Sequence, residues 1–200
     1  RAGGKAIFWG RLGDDHNGDI ILDELKELGV DVQDVLRQQG VKSGVSSVLI
    51  DSAGERLITN YNDQKLISNA DWLPIERIKE SNAVLVDLRW HEGAIKTLRK
   101  ARELGIPAVL DADLTPEGLN EDVIGSATHV IFSQPALKEF GAGKSTEEAL
   151  NYALELNCGW VGVTEGSSGT RWLDKGVLRH FPAFDVNPLD PLGAGDVFHG

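Results

Sequence analysis

Short apolar runs alternate with amphipathic stretches along most of the chain. The run Ala6–Gly10 predicts a strand that enters a glycine turn. A helix is predicted next, because apolar residues recur at helical spacing: Ile20, Ile21, Leu25 and Leu28. Asp14 and Asp15 precede this stripe and suit a helix N-terminus, and Gly29 suits its end.

Two runs rich in β-forming residues follow, Val45–Asp51 and Arg56–Tyr61. The four residues between them, Ser52–Glu55, contain a glycine and are typical of a hairpin turn. The hairpin interrupts an otherwise regular alternation of strands and helices. We therefore expect residues 43–62 to form a small flap outside the main sheet.

After the flap, strands and helices alternate regularly. The predicted strands are Ala83–Asp87, Ala108–Asp111, Val130–Phe132 and Trp160–Thr164. The predicted helices are His91–Leu104, Pro135–Phe140 and Thr146–Leu156. This rhythm predicts an α/β fold with a doubly wound, mainly parallel sheet in three layers. Ligands of such sheets bind at the carboxyl ends of strands, where Asp87, Asp111 and Thr164 stand. Thr170–Asp174 and Val177–Phe181 predict a second hairpin.

Composition limits the classes of function. A chain of 200 residues with 41% hydrophobic residues can bury the core of one domain. A net charge of −11 argues against nucleic-acid binding, although a local basic pocket could still bind an anionic metabolite. No apolar run is long enough for a membrane span. Cys158 is the only cysteine, so we expect no internal disulfide and a reducing, cytoplasmic location.

The segment 141–145, Gly-Ala-Gly-Lys-Ser, superficially matches a phosphate-binding P-loop. That motif requires a glycine at position 138, where the chain has Lys138, and a preceding strand, where a helix is predicted. Helix caps explain the segment better. Gly141 would end one helix, and Ser145 with Glu148 would form a capping box for the next.

Residues 193–196, Gly-Ala-Gly-Asp, have a pattern that suits phosphoryl chemistry. Small residues expose backbone N–H groups at a helix N-terminus, where anions bind and developing negative charge is stabilised. Asp196 could accept the proton of a substrate hydroxyl. A plain glycine turn followed by an aspartate remains an equal alternative at this point.

Three segments resemble the ribokinase-like (PfkB) carbohydrate kinases. Residues 190–200 resemble the C-terminal signature of that family, and Gly10–Asp15 with Leu28–Asp31 look like its N-terminal signature region. Val163–Gly169 is similar to its nucleotide-binding strand and turn. The segments occur in the family's order, and the resemblance extends over essentially the whole chain.

The resemblance implies an ATP- and Mg²⁺-dependent sugar kinase. Asp196 would then activate the acceptor hydroxyl, and Gly193, Ala194 and Gly195 would form the anion hole for the transferring phosphoryl group. It also implies three nucleotide-binding residues: Thr164, Gly166 and Gly169. The flap would be the family's β-lid over the sugar, and a homodimer would form through it.

A closer resemblance, to the sulfofructose kinase branch, is carried by Thr59–Tyr61, Asp87–Gly93 and Leu110–Pro116. In that branch the matching Asn and Arg hold the sulfonate end of the substrate. The resemblance therefore assigns this role to Asn60 and Arg89. The alternative for Arg89 is a surface arginine or an ion pair with an aspartate.

The chain departs from the family pattern in two places. Ser133–Ala136 stands where many members carry Asn-x-x-Glu, which leaves the magnesium ligands unassigned. Asp190–Leu192 replaces the commoner Asp-Thr-Thr, which leaves any monovalent-cation site unassigned. The chain contains no Met, and family segments would precede Arg1 and follow Gly200. We therefore expect an incomplete kinase domain over residues 1–200.

The leading hypothesis is an ATP-dependent kinase for a primary hydroxyl of a ketohexose-type sugar, best of all sulfofructose. Fructose, a phosphorylated ketose and ribose remain open. A dinucleotide-dependent oxidoreductase is disfavoured, because Gly193–Gly195 comes last in the chain instead of after the first strand. A third hypothesis is a kinase-like fold that only binds a sugar.

Overall fold

The chain forms two compact units, Arg1–Leu73 and Pro74–Gly200. The computed structural model describes residues 3–50, 56–66, 69–115, 118–156, 159–186 and 193–199, except for the side chains of Arg56 and His199. The predicted hairpin turn Ser52–Glu55, the single Cys158 and the segment Asp190–Leu192 lie outside the described residues.

The first unit contains a small parallel pair of strands and one long helix. Strand β1 (Arg11–Gly13) pairs in parallel with β2 (Leu36–Gln38), and helix α1 (His16–Glu27) lies between them in the chain. The Asp15 side chain caps the start of α1 by accepting a hydrogen bond from the Gly18 N–H at 3.0 Å. Gly29 follows the helix with a φ of +77°, as expected for a glycine at a helix end.

The prediction of a first strand at Ala6–Gly10 was wrong. Within that segment Ile7 forms one isolated bridge, to Asp31, whereas the continuous ladder begins at Arg11. A strand needs a partner chain with matching register, and β2 supplies one only to β1. The apolar run alone could not reveal where that partner lies.

Helix α1 buries a narrower face than its apolar stripe predicts. Leu22 is buried, whereas Ile20 and Leu28 are 45% and 65% exposed. A helix turns once every 3.6 residues, so Gly18 and Leu22 share a face that Ile20 does not. The helix itself and its C-terminal glycine agree with prediction.

The predicted flap is a separate two-stranded sheet, as expected. Strand β3 (Val45–Ile50) runs antiparallel to β4 (Arg56–Tyr61), with Val45 opposite Tyr61. Residues opposite one another in this register share a face, so the hairpin has two distinct faces.

The second unit is built on a six-stranded sheet. Its strands, in chain order, are β5 (Val84–Val86), β6 (Ala108–Ala112), β7 (His129–Ser133), β8 (Trp160–Thr164), β9 (Thr170–Asp174) and β10 (Val177–Phe181). Neighbours in the sheet follow chain order; β5 to β8 are parallel, and β9 and β10 are antiparallel. The predicted mainly parallel α/β fold is confirmed, and the second predicted hairpin extends the same sheet.

Helices connect the parallel strands of this sheet. They are α2 (His91–Glu103), α3 (Glu121–Ser126), α4 (Gln134–Phe140) and α5 (Thr146–Glu155). Neighbouring helices contact one another and the strands, so they form a layer on the sheet. The strand residues of the covered face are fully buried: Leu110, Val130, Phe132, Val161 and Val163. The short helix α3 and a 3-10 helix at Ile75–Glu80 were not predicted.

The segment 141–145 caps helices, as predicted, and is not a P-loop. Gly141 ends α4, and Ser145 begins α5 in a capping box with Glu148. The Glu148 carboxylate accepts from the Ser145 N–H at 2.8 Å, and the hydrogen bond from the Ser145 side chain is the main reason why the pKa of Glu148 is lowered.

The last described element is helix α6 (Ala194–His199). In the part of the chain that the structure describes, no helix is both long and apolar enough to cross a membrane.

Candidate active site

The carboxyl ends of the parallel strands bring polar side chains to one edge of the sheet. Asp87 follows β5, Asp113 follows β6, and Ser133 and Thr164 end β7 and β8. The Ser133 hydroxyl donates a 2.7 Å hydrogen bond to the Asp113 carboxylate. Asp111, which the sequence placed at this edge, lies one residue before the end of β6 and is half-buried. This edge is where ligands of parallel sheets bind.

Arg89 lies in the loop after β5 with an exposed side chain. Its backbone N–H donates to the Asp87 carboxylate at 3.0 Å, which fixes the turn that carries it. Within the described ranges, no carboxylate lies within ion-pair distance of the Arg89 guanidinium. The described residues therefore do not form the Arg–Asp pair considered from the sequence, and the guanidinium can contact an oxyanion.

Asn60 lies on β4, in the first unit, with an exposed side chain. Ser46 stands opposite it on β3, and the Ser46 hydroxyl donates to Asn60 Oδ1 at 2.7 Å. With its oxygen accepting that bond, the amide directs its NH₂ group elsewhere, as a donor for a ligand. Asn60 belongs to the first unit of the chain and Arg89 to the second.

The structure brings Thr164, Gly166 and Gly169 together in one strand and turn. Thr164 ends β8 opposite Thr170 of β9, and its hydroxyl donates to the Phe132 carbonyl at 3.4 Å. A short 3-10 helix, Gly166–Ser168, connects the two strands. The sequence signature thus forms a tight reversal at the carboxyl end of a parallel strand.

The two glycines of this turn are required for different reasons. Gly166 is exposed, and its φ of +55° alone favours glycine. Gly169 is buried at a φ of +94°, and a Cβ there would lie 2.1 Å from the Phe181 carbonyl oxygen and 2.7 Å from the Ala183 nitrogen. Gly169 therefore allows the turn to pack directly on the chain that leaves β10.

Residues Gly193, Ala194, Gly195 and Asp196 come together at the start of α6. Gly193 has a φ of +73°, and its carbonyl accepts from the Val197 N–H at 3.0 Å. Asp196 Oδ2 lies 3.5 Å from the point where a Cβ on Gly193 would stand. The carboxylate therefore folds back toward the small residues, and Ala194, Gly195 and Asp196 are all exposed.

A charged pair beside the turn was not predicted from the sequence. Glu165 Oε2 lies 2.9 Å from Arg171 Nε, and the Glu165 side chain is only 4% exposed. Glu165 directly follows β8 and Arg171 lies on β9, so a hairpin register drawn from the sequence could have brought them together. Opposite charges on either side of a predicted turn were the available signal.

No preformed metal cage is present among the residues that the structure describes, since no group of three or more His, Cys, Asp or Glu side chains could hold an ion. Many relatives are expected to carry the asparagine of Asn-x-x-Glu at the position of Ser133. In this chain Ser133 caps α4, because its hydroxyl accepts a hydrogen bond from the Ala136 N–H at 3.3 Å.

Comparison with known proteins identifies the family. Residues 1–200 match the family described as pfkB family carbohydrate kinase. The chain is 27% identical over 218 residues to "Probable fructokinase-2" of Arabidopsis thaliana, with 100% of the chain and 66% of that protein aligned. It is 28% identical over 202 residues to the ribokinase of Bacillus subtilis (strain 168), with 100% of the chain and 67% of that protein aligned. The chain spans 63–66% of the length of three plant fructokinases that it matches.

Comparison with solved structures supports the same family. A "putative ribokinase" from Agrobacterium tumefaciens superposes with a TM-score of 0.91 at 36% identity, over 98% of this chain and 65% of that one. The fructokinase with bound ATP from Xylella fastidiosa gives a TM-score of 0.84 at 21% identity, over 98% of this chain and 66% of that one, which shows a shared fold. The chain belongs to the pfkB family of carbohydrate kinases and has their ribokinase-like α/β fold.

Proposed function

We propose that the protein is an ATP-dependent sugar kinase that transfers the γ-phosphoryl group to a primary hydroxyl of a ketohexose-type sugar. The observation that carries this proposal is the exposed Asp196 carboxylate folded back over Gly193 at the start of α6. A base and small residues with accessible backbone stand together there. Phosphoryl transfer needs this combination of positioning and charge stabilisation.

In the proposed reaction, Asp196 accepts the proton of the sugar hydroxyl as that oxygen attacks the γ-phosphorus. The bond between the γ-phosphorus and the β–γ bridging oxygen breaks, and ADP leaves with the electron pair. Backbone groups of Gly193, Ala194 and Gly195 stabilise the negative charge on the transferring group. The products are a sugar phosphate and ADP, and Asp196 releases its proton to solvent.

The nucleotide is assigned to the turn after β8. Thr164, Gly166 and Gly169 would lie along ATP, because the turn stands at the carboxyl end of a parallel strand. Mg²⁺ takes oxygen ligands, one or two carboxylates together with substrate phosphates. The exposed Asp113 carboxylate has this chemistry, and the bound ion would neutralise charge on the phosphates.

We propose sulfofructose as the preferred substrate of this kinase. An anionic far end suits Arg89, whose guanidinium has no ion-pair partner among the described residues, and Asn60, whose amide oxygen is already hydrogen-bonded to Ser46. The names of the relatives, fructokinase and ribokinase, support a sugar kinase and keep fructose and ribose as alternatives. A phosphorylated ketose would also satisfy an oxyanion site.

The β3–β4 hairpin would act as a lid, and a homodimer would form through it. One face carries four exposed apolar side chains: Val45, Leu49, Leu57 and Tyr61. The other face carries Ser46 and Asn60 together with the exposed Ile50 and Ile58, and would turn toward the sugar. A second copy would cover the apolar face, and a monomer in solution scattering would contradict this.

Free sugar and ATP as substrates, with a single cysteine, suit the cytoplasm.

The test is ADP release from ATP and Mg²⁺ with sulfofructose, fructose, fructose phosphate or ribose. Asp196→Asn should reduce kcat by about 10²–10⁴-fold, the usual contribution of a general base. Asp23→Asn, on the exposed surface of α1, is the matched control and should leave the rate unchanged. Arg89→Ala should raise KM only for the anionic sugars.

Two outcomes would contradict the proposal. A folded protein that releases no ADP with any of these sugars is not the proposed kinase. Sugar binding without ADP release would instead favour the hypothesis of a kinase-like fold that only binds a sugar. The exposed Asp196 carboxylate argues against that hypothesis.

A further inference from the structure

The turn between β8 and β9 is held by its backbone at both ends. The Glu165 N–H donates to the Gly169 carbonyl at 2.8 Å, and the Ser168 N–H donates to the Glu165 carbonyl at 3.0 Å. On the outer side, His180 Nε2 lies 2.7 Å from the Ser168 carbonyl oxygen. These contacts define the shape of the turn, and Glu165 takes part in two of them.

Among the described residues of the second unit, Glu165 is the only charged one that is buried. Its side chain is 4% exposed, against 37% for Arg171, whose Nε lies 2.9 Å from Glu165 Oε2. In the described part of the chain that oxygen accepts no aligned hydrogen bond, so the ion pair is the contact that offsets its burial. A buried carboxylate without a cation would be strongly unfavourable, so the two residues are held at this distance.

The ion pair joins the residue that precedes the turn to the strand that follows it. Glu165 directly follows β8, and Arg171 lies on β9 opposite Val163. The guanidinium therefore reaches back along the hairpin to the first residue of the turn. Gly169 at the far end is fixed by its close approach to Phe181 and Ala183. Gly166 and Ser167 lie between these two anchors and are exposed.

We propose that Glu165, through its ion pair with Arg171, is a positioning residue that holds the turn at residues 166–169 in the conformation that binds the nucleotide. This rests on the proposed function of the turn as the ATP site. Glu165 itself does not contact the reacting atoms. Its loss should weaken nucleotide binding and leave the chemical step and the sugar site unchanged, because those depend on other residues.

The test compares Glu165→Gln with Asp174→Asn in the full chain. Both changes remove one carboxylate from an ion pair with an arginine, and β9 contributes one residue to each pair, Arg171 and Asp174. Asp174 pairs with Arg179 at 3.4 Å at the other end of β9, beside the β9–β10 turn, where the two side chains are 45% and 54% exposed. Isothermal titration with ATP gives Kd, and steady-state kinetics give KM for ATP, KM for the sugar, and kcat.

Glu165→Gln should raise both Kd and KM for ATP by about tenfold, since the apparent Kd rises in proportion as the fraction of molecules with the turn in its binding conformation falls. The kcat and the KM for the sugar should stay near the wild-type values, and Asp174→Asn should leave all four constants unchanged. Arg171→Gln should match Glu165→Gln, and the double variant should lose little more than either single variant.

Circular dichroism identifies any variant that fails to fold. If Glu165→Gln does not fold, Arg171→Lys serves instead, since it keeps the positive charge and changes only its position. The expected result is again a higher KM for ATP at constant kcat.

Three outcomes would overturn the proposal, and each has a different cause. A folded Glu165→Gln variant with wild-type affinity for ATP would show that the ion pair does not position the turn. A lower kcat at unchanged KM would move Glu165 into the chemical step. A wild-type protein that binds no nucleotide would remove the proposed function, and this inference with it.

Discussion

The hydroxyl of Ser43 donates a 2.7 Å hydrogen bond to the carboxylate of Asp15. The same carboxylate accepts from the backbone N–H of Gly18 at 3.0 Å and of Ser43 at 3.1 Å. Asp15 is the N-cap of α1, and Ser43 lies two residues before β3. One side chain therefore ties the start of the long helix to the start of the β3–β4 hairpin.

Ser43→Ala should destabilise the first unit. Ser43 is 1% exposed, and its Oγ also accepts from the Gly13 N–H at 3.0 Å, so the change leaves a buried donor without its partner. The expected loss of unfolding free energy is about 1–3 kcal/mol, measured by urea denaturation. Ser47→Ala, at an exposed position in β3, is the control and should have little effect. Equal stabilities of the two variants would contradict the prediction.

Stability should fall in acid partly through Asp15. The hydrogen bond from Ser43 is the largest cause of the lowered pKa of Asp15, and the bond from Gly18 N–H adds to it. A carboxyl whose pKa is lower in the folded state stabilises the fold above its unfolded pKa. That contribution is lost as the pH falls through the folded pKa.

Asp15→Asn should therefore be less stable than wild type near neutral pH and should converge with it in strong acid. Unfolding followed between neutral pH and strong acid measures this difference. Ser43→Ala removes the main cause of the lowered pKa of Asp15. In that background, Asp15→Asn should therefore change the free energy of unfolding less than it does in the wild type. A gap that stays constant across the acid range would exclude a role for the Asp15 charge.

Gly169→Ala and Gly176→Ala should differ, although both glycines lie at positive φ in the turns at the two ends of β9. The φ values are +94° and +78°, but a Cβ meets backbone atoms only at Gly169, and nothing lies within 4 Å at Gly176. Gly176→Ala should cost only the strain of the left-handed conformation, about 1 kcal/mol. Gly169→Ala should lose several kcal/mol or fail to fold, because the clash adds to the strain. Equal melting temperatures would show that the chain at 181–183 can move away.

Ser46→Ala should weaken binding of an anionic sugar without affecting ATP. The Ser46 hydroxyl orients the Asn60 amide across the lid, and a single neutral hydrogen bond contributes roughly twofold to tenfold in affinity. KM for the sugar is the measurement. Ser47→Ala is the matched control, since Ser47 is paired with Thr59 on the opposite face of the hairpin. A matching rise in KM for Ser47→Ala would indicate general loosening of the lid.

The fold and the candidate site were predictable where the signal is local. Alternating apolar runs identified β5 to β8, and Ser145 with Glu148 identified the start of α5, because strand burial and capping depend on neighbouring residues. The β3–β4 hairpin followed from two β-rich runs with a short connection. The resemblance to the family's nucleotide-binding segment singled out the residues of the turn after β8, which are close together in the chain.

Predictions failed where a distant partner decides the structure. The strand expected at Ala6–Gly10 formed at Arg11–Gly13, since only that segment pairs residue by residue with β2. The short strand Leu36–Gln38 carries no apolar pattern of its own and exists because β1 pairs with it. The hydrogen bond between Asp15 and Ser43 joins residues 28 positions apart, and no periodicity reports such a contact.

The sequence by itself determined the α/β class, the order of the main elements and the residues that carry the family signatures. The class and the order of elements follow from short-range spacing, which sets the faces that a strand or helix must bury, and the signature residues follow from the resemblance to the family. Tertiary structure alone decided which charged side chains are buried and paired. Glu165 resembles any surface acid in the sequence, but the β8–β9 register brings Arg171 within 2.9 Å of it and makes a buried charge stable.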